Sequence, residues 1–428
     1  MKTVLLLSTY PIASPRHGGQ VRVANIAKTF RENGWDVTHL AVYEPEGYPP
    51  STLGANDVSF PAGSDFRKYK GTYVPLINDL LSGEFAASEQ GGFAEILKKL
   101  PPVIDVIHVE QPWLWPLVLK IRQMPQYANA CLIYGSQNIE APLKQEILDS
   151  YGIKGAEAVI ADIETLERKA TLEADIAVAV TQADFDILKA WGAKRPLLAS
   201  NGIAPWSARA ELLASWKERL PQSPWILYVA SAHPPNFKGF NECLGSSLAC
   251  IPPDSKLVVV GSVCEHLETT LRDSRWGQLN LSRLQLLYML PDEDLDAVKT
   301  LAHAFLLPIP HGGGSNIKTA EAIYSGKYVI GTEAAFRGFE QHLLLPELSV
   351  ARTPHEFHAA IRARLTGPAT ISGDGPDRAS REPLTYPQRR TRQWSPIATT
   401  GSPAGHGNPH ALAVQPLQET PHSVARHH

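Results

Sequence analysis

The sequence has 428 residues, which exceeds one ordinary hydrophobic core, so we expect two domains. Its hydrophobic share of 43%, charged share of 19% and net charge of −3 exclude the strongly basic domain typical of nucleic-acid binding, and we expect no nucleic-acid partner. No apolar run reaches the ~20 residues needed to span a bilayer, and the first residues lack the pattern of a secretory signal peptide, so we expect a cytoplasmic protein.

The first 200 residues alternate short buried strands with helical periodicity. Residues 4–7 are an unbroken apolar run, which is typical of a strand covered on both faces of a parallel sheet. One helix face follows at spacings i, i+3, i+4 and i+7, formed by Val23, Ile26, Ala27 and Phe30. Gly34 then stands where a helix end favours positive φ. Further strands are predicted at residues 37–42, 103–109, 131–134 and 176–180, and a further helix face at Val159, Ile163, Leu166 and Ala170.

A second alternating series begins after the turn at residues 200–202, with strands predicted at 225–229, 256–260, 284–287, 305–307 and 328–330. The order strand, helix, strand predicts parallel pairing with right-handed crossovers. We therefore predict an α/β protein with two Rossmann-like domains, residues 1–200 and 201–365, whose parallel sheets face one cleft.

Residues 366–428 differ in composition from the rest of the chain. Nine prolines lie between residues 367 and 428, and no apolar periodicity is present. Such a segment buries too little surface to offset its chain entropy, so we predict a disordered tail. An altered reading frame would give the same composition, and the sequence does not distinguish the two explanations.

The loop after the first predicted strand, residues 8–20, contains the pair Gly18 and Gly19. Ligands of open α/β sheets bind beyond the carboxyl ends of the strands, where this loop lies. Paired glycines let the backbone approach a ligand and present free N–H groups at a helix start. The dinucleotide fingerprint G-x-G-x-x-G is absent. An ordinary turn is the alternative interpretation.

The stronger candidate is the segment PIPHGGGSNIKTAEA, residues 308–322, between a predicted strand and a predicted helix. Its glycines and N-cap candidates predict an anion site built from free N–H groups and the helix dipole. Lys318 adds a positive charge, and the carboxylate of Glu321, about one turn into the helix, could bind both hydroxyls of a ribose. A nucleotide diphosphate needs both features, although an ordinary glycine-rich turn is the alternative. The predicted donor loop comprises Gly312, Gly313, Gly314, Ser315 and Asn316.

The segment from Gly312 to Gly338 resembles the donor-site signature of glycosyltransferase family 4, in a subgroup with a GGGSNxK loop. Landmarks at residues 18–22, 34–38, 105–108 and 199–203 agree in order, and the resemblance covers about residues 1–365. It implies a GT-B fold and a retaining enzyme of polysaccharide biosynthesis, which transfers a sugar from a nucleotide diphosphate sugar to a glycan or lipid-linked acceptor. No metal or other cofactor is implied. Peripheral association with the inner face of a membrane is a further option.

The resemblance also implies roles for single residues of the donor side. Glu321 would hold the donor ribose and the amides of residues 313–316 its phosphates, while Gly18 and Gly19 approach the donor from the other domain. Lys238 stands where members often place a phosphate-binding lysine, and with Lys318 it would stabilise the departing diphosphate as a catalytic group.

Other candidates belong to the acceptor side or to the loop after residues 225–229. His108, Gln137 and Asn138 would line the acceptor cleft, although His108 is also interpreted as a structural histidine. His233 is interpreted as either catalytic or structural. Trp113 and Trp115 are interpreted as packing residues or as a stacking surface for an acceptor sugar.

Three departures from the family pattern keep other functions open. Gly313 replaces the first of two glutamates that are separated by seven residues, Gln137 replaces a frequent histidine, and residues 229–233 lack an arginine that usually precedes the lysine. A sugar-nucleotide epimerase, which consumes no acceptor, is one alternative. A non-catalytic protein that binds nucleotide sugars or serves as a scaffold is the other.

Overall fold

The structure is a computed structural model that describes residues 1–203, 206–232 and 234–367. Its first sheet is parallel and has seven strands: β1 Thr3–Ser8, β2 Asp36–Tyr43, β3 Val58–Ser59, β4 Val106–Glu110, β5 Cys131–Gly135, β6 Ile176–Ala179 and β7 Pro196–Leu198. They lie in the order β3-β2-β1-β4-β5-β6-β7. The helices of this part are α1 Gly18–Glu32, α2 Asn78–Ala87, α3 Phe93–Leu97, α4 Trp115–Arg122, α5 Glu140–Ser150, α6 Glu157–Glu173 and α7 Gln182–Ala190.

The second sheet is also parallel and has six strands: β8 Trp225–Val229, β9 Lys256–Val260, β10 Leu284–Tyr288, β11 Ala304–Leu307, β12 Tyr328–Thr332 and β13 Leu348–Ala351. They lie in the order β10-β9-β8-β11-β12-β13. The helices here are α8 Ala210–Arg219, α9 Pro234–Leu244, α10 Val263–Arg272, α11 Gly277–Arg283, α12 Asp292–Leu301, α13 Ile317–Ser325 and α14 Pro354–Thr366. Two parallel, doubly wound sheets confirm the predicted α/β architecture.

Strand order reverses once in each sheet, between β1 and β4 in the first and between β8 and β11 in the second. Connections on either side of such a point leave on opposite faces of the sheet, so a crevice opens beyond the carboxyl ends of the two strands. The loops after β1, β4 and β11 border these crevices. Both glycine-containing loops singled out in the sequence are among them.

The apolar patterns form the cores that they predict. Residues 4–7 of β1 are fully buried, as are the four apolar residues of the α1 face. Gly34, just after α1, has φ +79°, and Gly326 caps α13 with φ +68°. These two conformations are ones that glycine adopts without strain, which explains where the helices end.

One boundary of the predicted elements was wrong. The strand predicted from residue 103 begins at Val106, because its partner β1 begins at Thr3 and aligns Val4 with Val106, leaving Val103 exposed. On α6, Leu166 is partly buried and packs against the core as predicted, and the neighbouring Glu167 is fully buried. Its carboxylate accepts hydrogen bonds from the amides of Glu140 and Ala141, at 2.7 and 3.0 Å, and so caps the start of α5.

Helix α14 packs against α9, β12 and β13 of the second sheet. Of the predicted tail, residues 366–428, the structure describes Thr366, which ends α14, and Gly367. Residues 368–428 lie outside the described residues, and so does that prediction. Within the described ranges, no helix is long and apolar enough to cross a membrane.

Candidate functional site

The two glycine-containing loops, one from each sheet, lie against each other. Helix α1 begins at Gly18, and a Cβ added there would lie 3.5 Å from Cδ1 of Ile317, the first residue of α13. A Cβ on Gly19 would lie 2.7 Å from the Tyr10 hydroxyl oxygen, closer than side chains tolerate. Glycine at position 19 therefore allows the start of α1 to pack directly over the end of β1.

The donor loop, residues 312–316, contacts the predicted acceptor residues across the cleft. Gly312 and Gly314 have φ +122° and +60°, which favours glycine at both positions. A Cβ on Gly314 would lie 2.6 Å from Asn138 Oδ1 and closer still to the Gln137 carbonyl oxygen, while one on Gly313 would lie 3.0 Å from Asn138 Oδ1. The structure therefore brings Gln137 and Asn138 together with the glycine triplet.

The backbone amides of the donor loop are unused. In the described part of the chain, the N–H groups of residues 312–316 make no intramolecular hydrogen bond. The side chain of Asn316 caps α13 by accepting a hydrogen bond from the Lys318 amide at 3.0 Å, and the Ser315 hydroxyl is buried with no hydrogen-bond partner among the described residues. Consecutive free amides at a helix start form a site suited to an anion.

Two lysines flank the loop at different depths. Lys318 is half-buried, and its Nζ lies 3.5 Å from Asn236 Oδ1 on α9. Burial lowers the pKa of Lys318 to about 8, although nearby Glu321 opposes the change. Lys238 is instead exposed and lies 3.9 Å from Glu242. It makes no hydrogen bond or ion pair with the donor loop in the described structure, and His233 lies outside the described residues.

Glu321 is fixed by a partner that the sequence did not indicate. Lys299, buried on α12, places Nζ 3.3 Å from Glu321 Oε1 and 2.9 Å from Asp296 Oδ1. The same ammonium lies 4.3 Å from the centre of the Trp206 ring. About a third of the Glu321 side chain is exposed (31%), so the carboxylate is held on one side and open on the other. Lys299 carries no motif, and only its side-chain contact with α13 in the folded chain reveals it.

A buried ion pair joins α1, which follows the loop of residues 8–20, to the end of β4. Arg22 Nε on α1 donates to Glu110 Oε2 at the end of β4, at 2.6 Å. Arg22 Nη1 also donates to Asn201 Oδ1 at 3.0 Å, and Asn201 Nδ2 donates to the Ser315 carbonyl at 3.2 Å. Four hydrogen-bonded residues thus connect β4, α1 and the segment after β7 with the donor loop.

The prediction that His108 lines the acceptor cleft needs correction. His108 is fully buried inside β4, where its Nε2 lies 3.0 Å from Glu110 Oε1. Burial opposes ionisation of Glu110, but the Arg22 guanidinium and His108 hold the pKa of that carboxyl well below its usual range. His108 therefore supports the ion pair and does not reach the cleft surface.

Amide side chains follow the carboxyl ends of β4 and β5, where the acceptor side is predicted. Gln137 Nε2 donates to the Tyr10 hydroxyl at 2.7 Å and to Glu110 at 3.0 Å. Gln111, which directly follows β4, has φ +67° and donates to Glu140 Oε1 at 3.0 Å. Strained backbone of this kind often marks a functional position. Sequence reasoning missed Gln111, although its place after a central strand is the signal that finds it.

Glu140 accepts hydrogen bonds from two amide side chains of this region. It is buried at the start of α5 and also accepts a hydrogen bond from Asn138 Nδ2 at 3.3 Å. Burial raises the pKa of Glu140 to about 7. The two tryptophans considered for acceptor stacking, Trp113 and Trp115, are buried in the core of the first sheet and are packing residues.

No family model matches the sequence, and no curated protein matches it. Solved structures resemble it over nearly their whole length. Sucrose-phosphate synthase from Thermosynechococcus elongatus has a TM-score of 0.61 at 16% identity, covering 93% of this chain and 96% of that one. Anabaena HepE in complex with UDP and glucose has a TM-score of 0.62 at 13% identity, covering 93% and 100%. WaaG, a glycosyltransferase involved in lipopolysaccharide biosynthesis, has a TM-score of 0.56 at 16% identity, covering 85% and 90%.

The chain has the GT-B fold. This confirms the predicted fold class, and the structural neighbours are GT-B glycosyltransferases. At identities of 13–16% the likeness shows the fold alone, so membership of family 4 stays a prediction. In this GT-B cleft, the second sheet supplies free amides, Lys318 and the Glu321 carboxylate, and the first sheet supplies Gly19 and the amide side chains.

Proposed function

We propose that this protein is a retaining glycosyltransferase, which moves a sugar from a nucleotide diphosphate sugar to a glycan or lipid-linked acceptor. One observation carries the proposal: a run of unused amides at residues 312–316 is followed on α13 by Lys318 and then by Glu321. The backbone amides and the Lys318 ammonium can bind a diphosphate. The Glu321 carboxylate, held by Lys299 on one side and exposed on the other, can accept hydrogen bonds from two ribose hydroxyls. HepE, which shares the fold, has been crystallised with UDP and with UDP-glucose.

The same groups explain how transfer would be assisted. The bond between the anomeric carbon and the diphosphate oxygen breaks, and the acceptor oxygen bonds to the same face of that carbon. The acceptor proton passes to the departing diphosphate. Negative charge therefore builds up where the amides of the donor loop, the dipole of α13 and the Lys318 ammonium lie. In this mechanism no protein base is required, which is compatible with Gln137 at a position where relatives often carry histidine.

The packing of the two loops favours transfer over hydrolysis. Gly18 leaves room for no more than one methyl group before Ile317 of the facing domain, and Gly19 lies against Tyr10 and Gln137. A donor bound between these loops is enclosed by backbone from both sheets. Exclusion of water strengthens the electrostatic interactions in the site and protects a reactive donor from hydrolysis.

The two alternatives use the same donor site but differ in chemistry. An epimerase must remove and return a proton, and Gln137 has no titratable proton to exchange. That observation favours a non-catalytic nucleotide-sugar-binding protein over the epimerase as the second candidate. Product analysis separates all three, because transfer joins the sugar to an acceptor, epimerisation changes the sugar without an acceptor, and a binding protein leaves the donor intact.

The first experiment is calorimetric titration of the full chain with UDP, GDP, CDP and ADP. We expect one nucleotide to bind saturably, and Glu321→Ala to weaken it roughly tenfold or more through loss of a charged hydrogen-bonding group. Glu333→Ala is the matched control, because Glu333 is an exposed carboxylate of the same domain. Binding of none of the four by a folded protein would exclude the donor site and the glycosyltransferase with it.

A further inference from the structure

Arg337, in the segment after β12, donates hydrogen bonds to backbone carbonyls of the donor loop. Its Nε donates to the Gly314 carbonyl at 3.1 Å, and its Nη2 donates to the Gly313 carbonyl at 3.2 Å. A planar guanidinium presents its N–H donors in a rigid fork and can hold two neighbouring carbonyl groups in one geometry, whereas the donors of an ammonium group rotate. Arg337 therefore fixes two consecutive peptide groups inside the run of unused amides.

The direction of these bonds determines where the amides point. In a trans peptide, the C=O and N–H bonds point in opposite directions. Because the carbonyl oxygens of Gly313 and Gly314 face Arg337, the N–H groups of Gly314 and Ser315 point away from it. Three successive glycines otherwise have access to many backbone conformations. Arg337 selects one in which neighbouring amides are directed to the same side.

Burial lowers the pKa of Arg337, and three acidic side chains near the guanidinium oppose that change. Asp184 on α7 and Glu146 on α5, both of the first domain, lie close enough to stabilise its charge, as does Glu340. Asp184 is buried, and its Oδ2 has no hydrogen-bond partner among the described residues. The position of Arg337, and with it that of the donor loop, is therefore favoured by charges from the facing domain.

We propose that Arg337 is a positioning residue for the donor diphosphate: it holds the peptides of Gly313 and Gly314 so that the amides of Gly314 and Ser315 bind the phosphates. This inference rests on the proposed function and adds to it a residue that acts on the donor through the loop. Its removal should affect ligands that carry the diphosphate and spare ligands that lack it.

The test compares Arg337→Met and Arg337→Lys with wild type in the full chain. Calorimetry measures the affinity for whichever of UDP, GDP, CDP and ADP the wild type binds, and ligand-observed NMR measures the affinity for the matching nucleoside. We expect Arg337→Met to weaken the diphosphate roughly 10- to 100-fold and the nucleoside less than about twofold. Arg337→Lys should restore only part of the loss.

Arg352→Met is the matched control, because Arg352 is an arginine of the same domain with 72% of its side chain exposed. It should leave both affinities and the melting temperature unchanged. Wild-type affinity of Arg337→Met for the diphosphate would overturn the inference alone, and so would equal losses for diphosphate and nucleoside, which indicate a collapsed site. Failure of the wild type to bind any of the four nucleotides would overturn the proposed function and this inference together.

Discussion

Replacing Arg22 with methionine removes the cation from the buried pair with Glu110. Both side chains are at most 1% exposed, and Arg22 Nε lies 2.6 Å from Glu110 Oε2. Methionine fills much of the same space, so the change removes charge more than volume. Removing one partner of a buried ion pair costs ~3–5 kcal/mol, because the other charge stays buried without compensation. We expect a loss of that size in the free energy of unfolding at pH 7.

The loss should become smaller in acid. Burial opposes ionisation of Glu110, but Arg22 and His108 lower its pKa to about 2 from the ordinary value of 4.5. A carboxylate with a lowered folded pKa contributes stability above its unfolded pKa and loses it as the pH falls through the folded pKa. In Arg22→Met the burial remains without the guanidinium, so the carboxyl is protonated at higher pH and costs less when neutral. The difference from wild type should therefore narrow as the pH falls below about 5.

Urea unfolding followed by circular dichroism, at pH 7 and in acid, measures both effects. The control is the double variant Arg22→Met/Glu110→Gln, which removes the unpaired charge and should recover much of the lost stability. The argument is refuted if Arg22→Met lies within about 1 kcal/mol of wild type at pH 7, the effect of an ordinary substitution. A loss that is the same at both pH values would show that packing, and not charge, explains it.

Two further predictions concern the donor loop, both measured by calorimetry with the nucleotide that the wild type binds. Gly314→Ala should weaken binding roughly tenfold or more, because φ is +60° and the new Cβ would lie 2.6 Å from Asn138 Oδ1. Gly63→Ala is the control, because a Cβ at that position would have open space around it. Equal affinities of the two variants would contradict the prediction. Burial lowers the pKa of Lys318 to about 8, so wild-type affinity should fall as the pH rises through that value and the ammonium loses its proton. Lys318→Met should bind more weakly near pH 7 with little change toward pH 9, and a wild type that shows no such fall would count against the role of this lysine.

Local sequence patterns were sufficient to predict the helices and strands and the positions of the two glycine-containing loops. The apolar run at residues 4–7 and the α1 face each report burial on their own, and Gly326 marks the end of α13 because one residue there needs positive φ. The order strand, glycine-rich loop, helix then places residues 312–316 at a sheet edge. Each of these inferences depends on residues that are close together in the sequence, and the spacing of apolar residues and glycines shows such local relationships directly.

Contacts between distant segments could not be predicted in the same way. Arg22 and Glu110 are 88 positions apart, and they meet because β1 and β4 are adjacent in the sheet. Lys299 and Glu321 lie on different helices, α12 and α13, and only the folded chain brings the two side chains together. The burial of His108 follows from the same strand order, since β4 lies between β1 and β5 in the sheet and not at its edge. Side-chain roles at the cleft therefore depend on topology, which periodicity does not determine.

The buried groups that stabilise the first domain also constrain the donor loop of the second. Arg22 binds both Glu110 and Asn201, and Asn201 donates to the Ser315 carbonyl. Because an unpaired buried polar group costs ~1–3 kcal/mol, movement of the loop away from Asn201 is opposed by the first domain and not only by its own. Glycosyl transfer benefits from such a constraint, since reacting atoms must be held within a fraction of an ångström while loops are otherwise the mobile part of an α/β fold. Arg337 binds the carbonyls of Gly313 and Gly314 in the same loop, so the carbonyl groups of all three residues 313–315 are held while the amides of the loop stay free for a ligand.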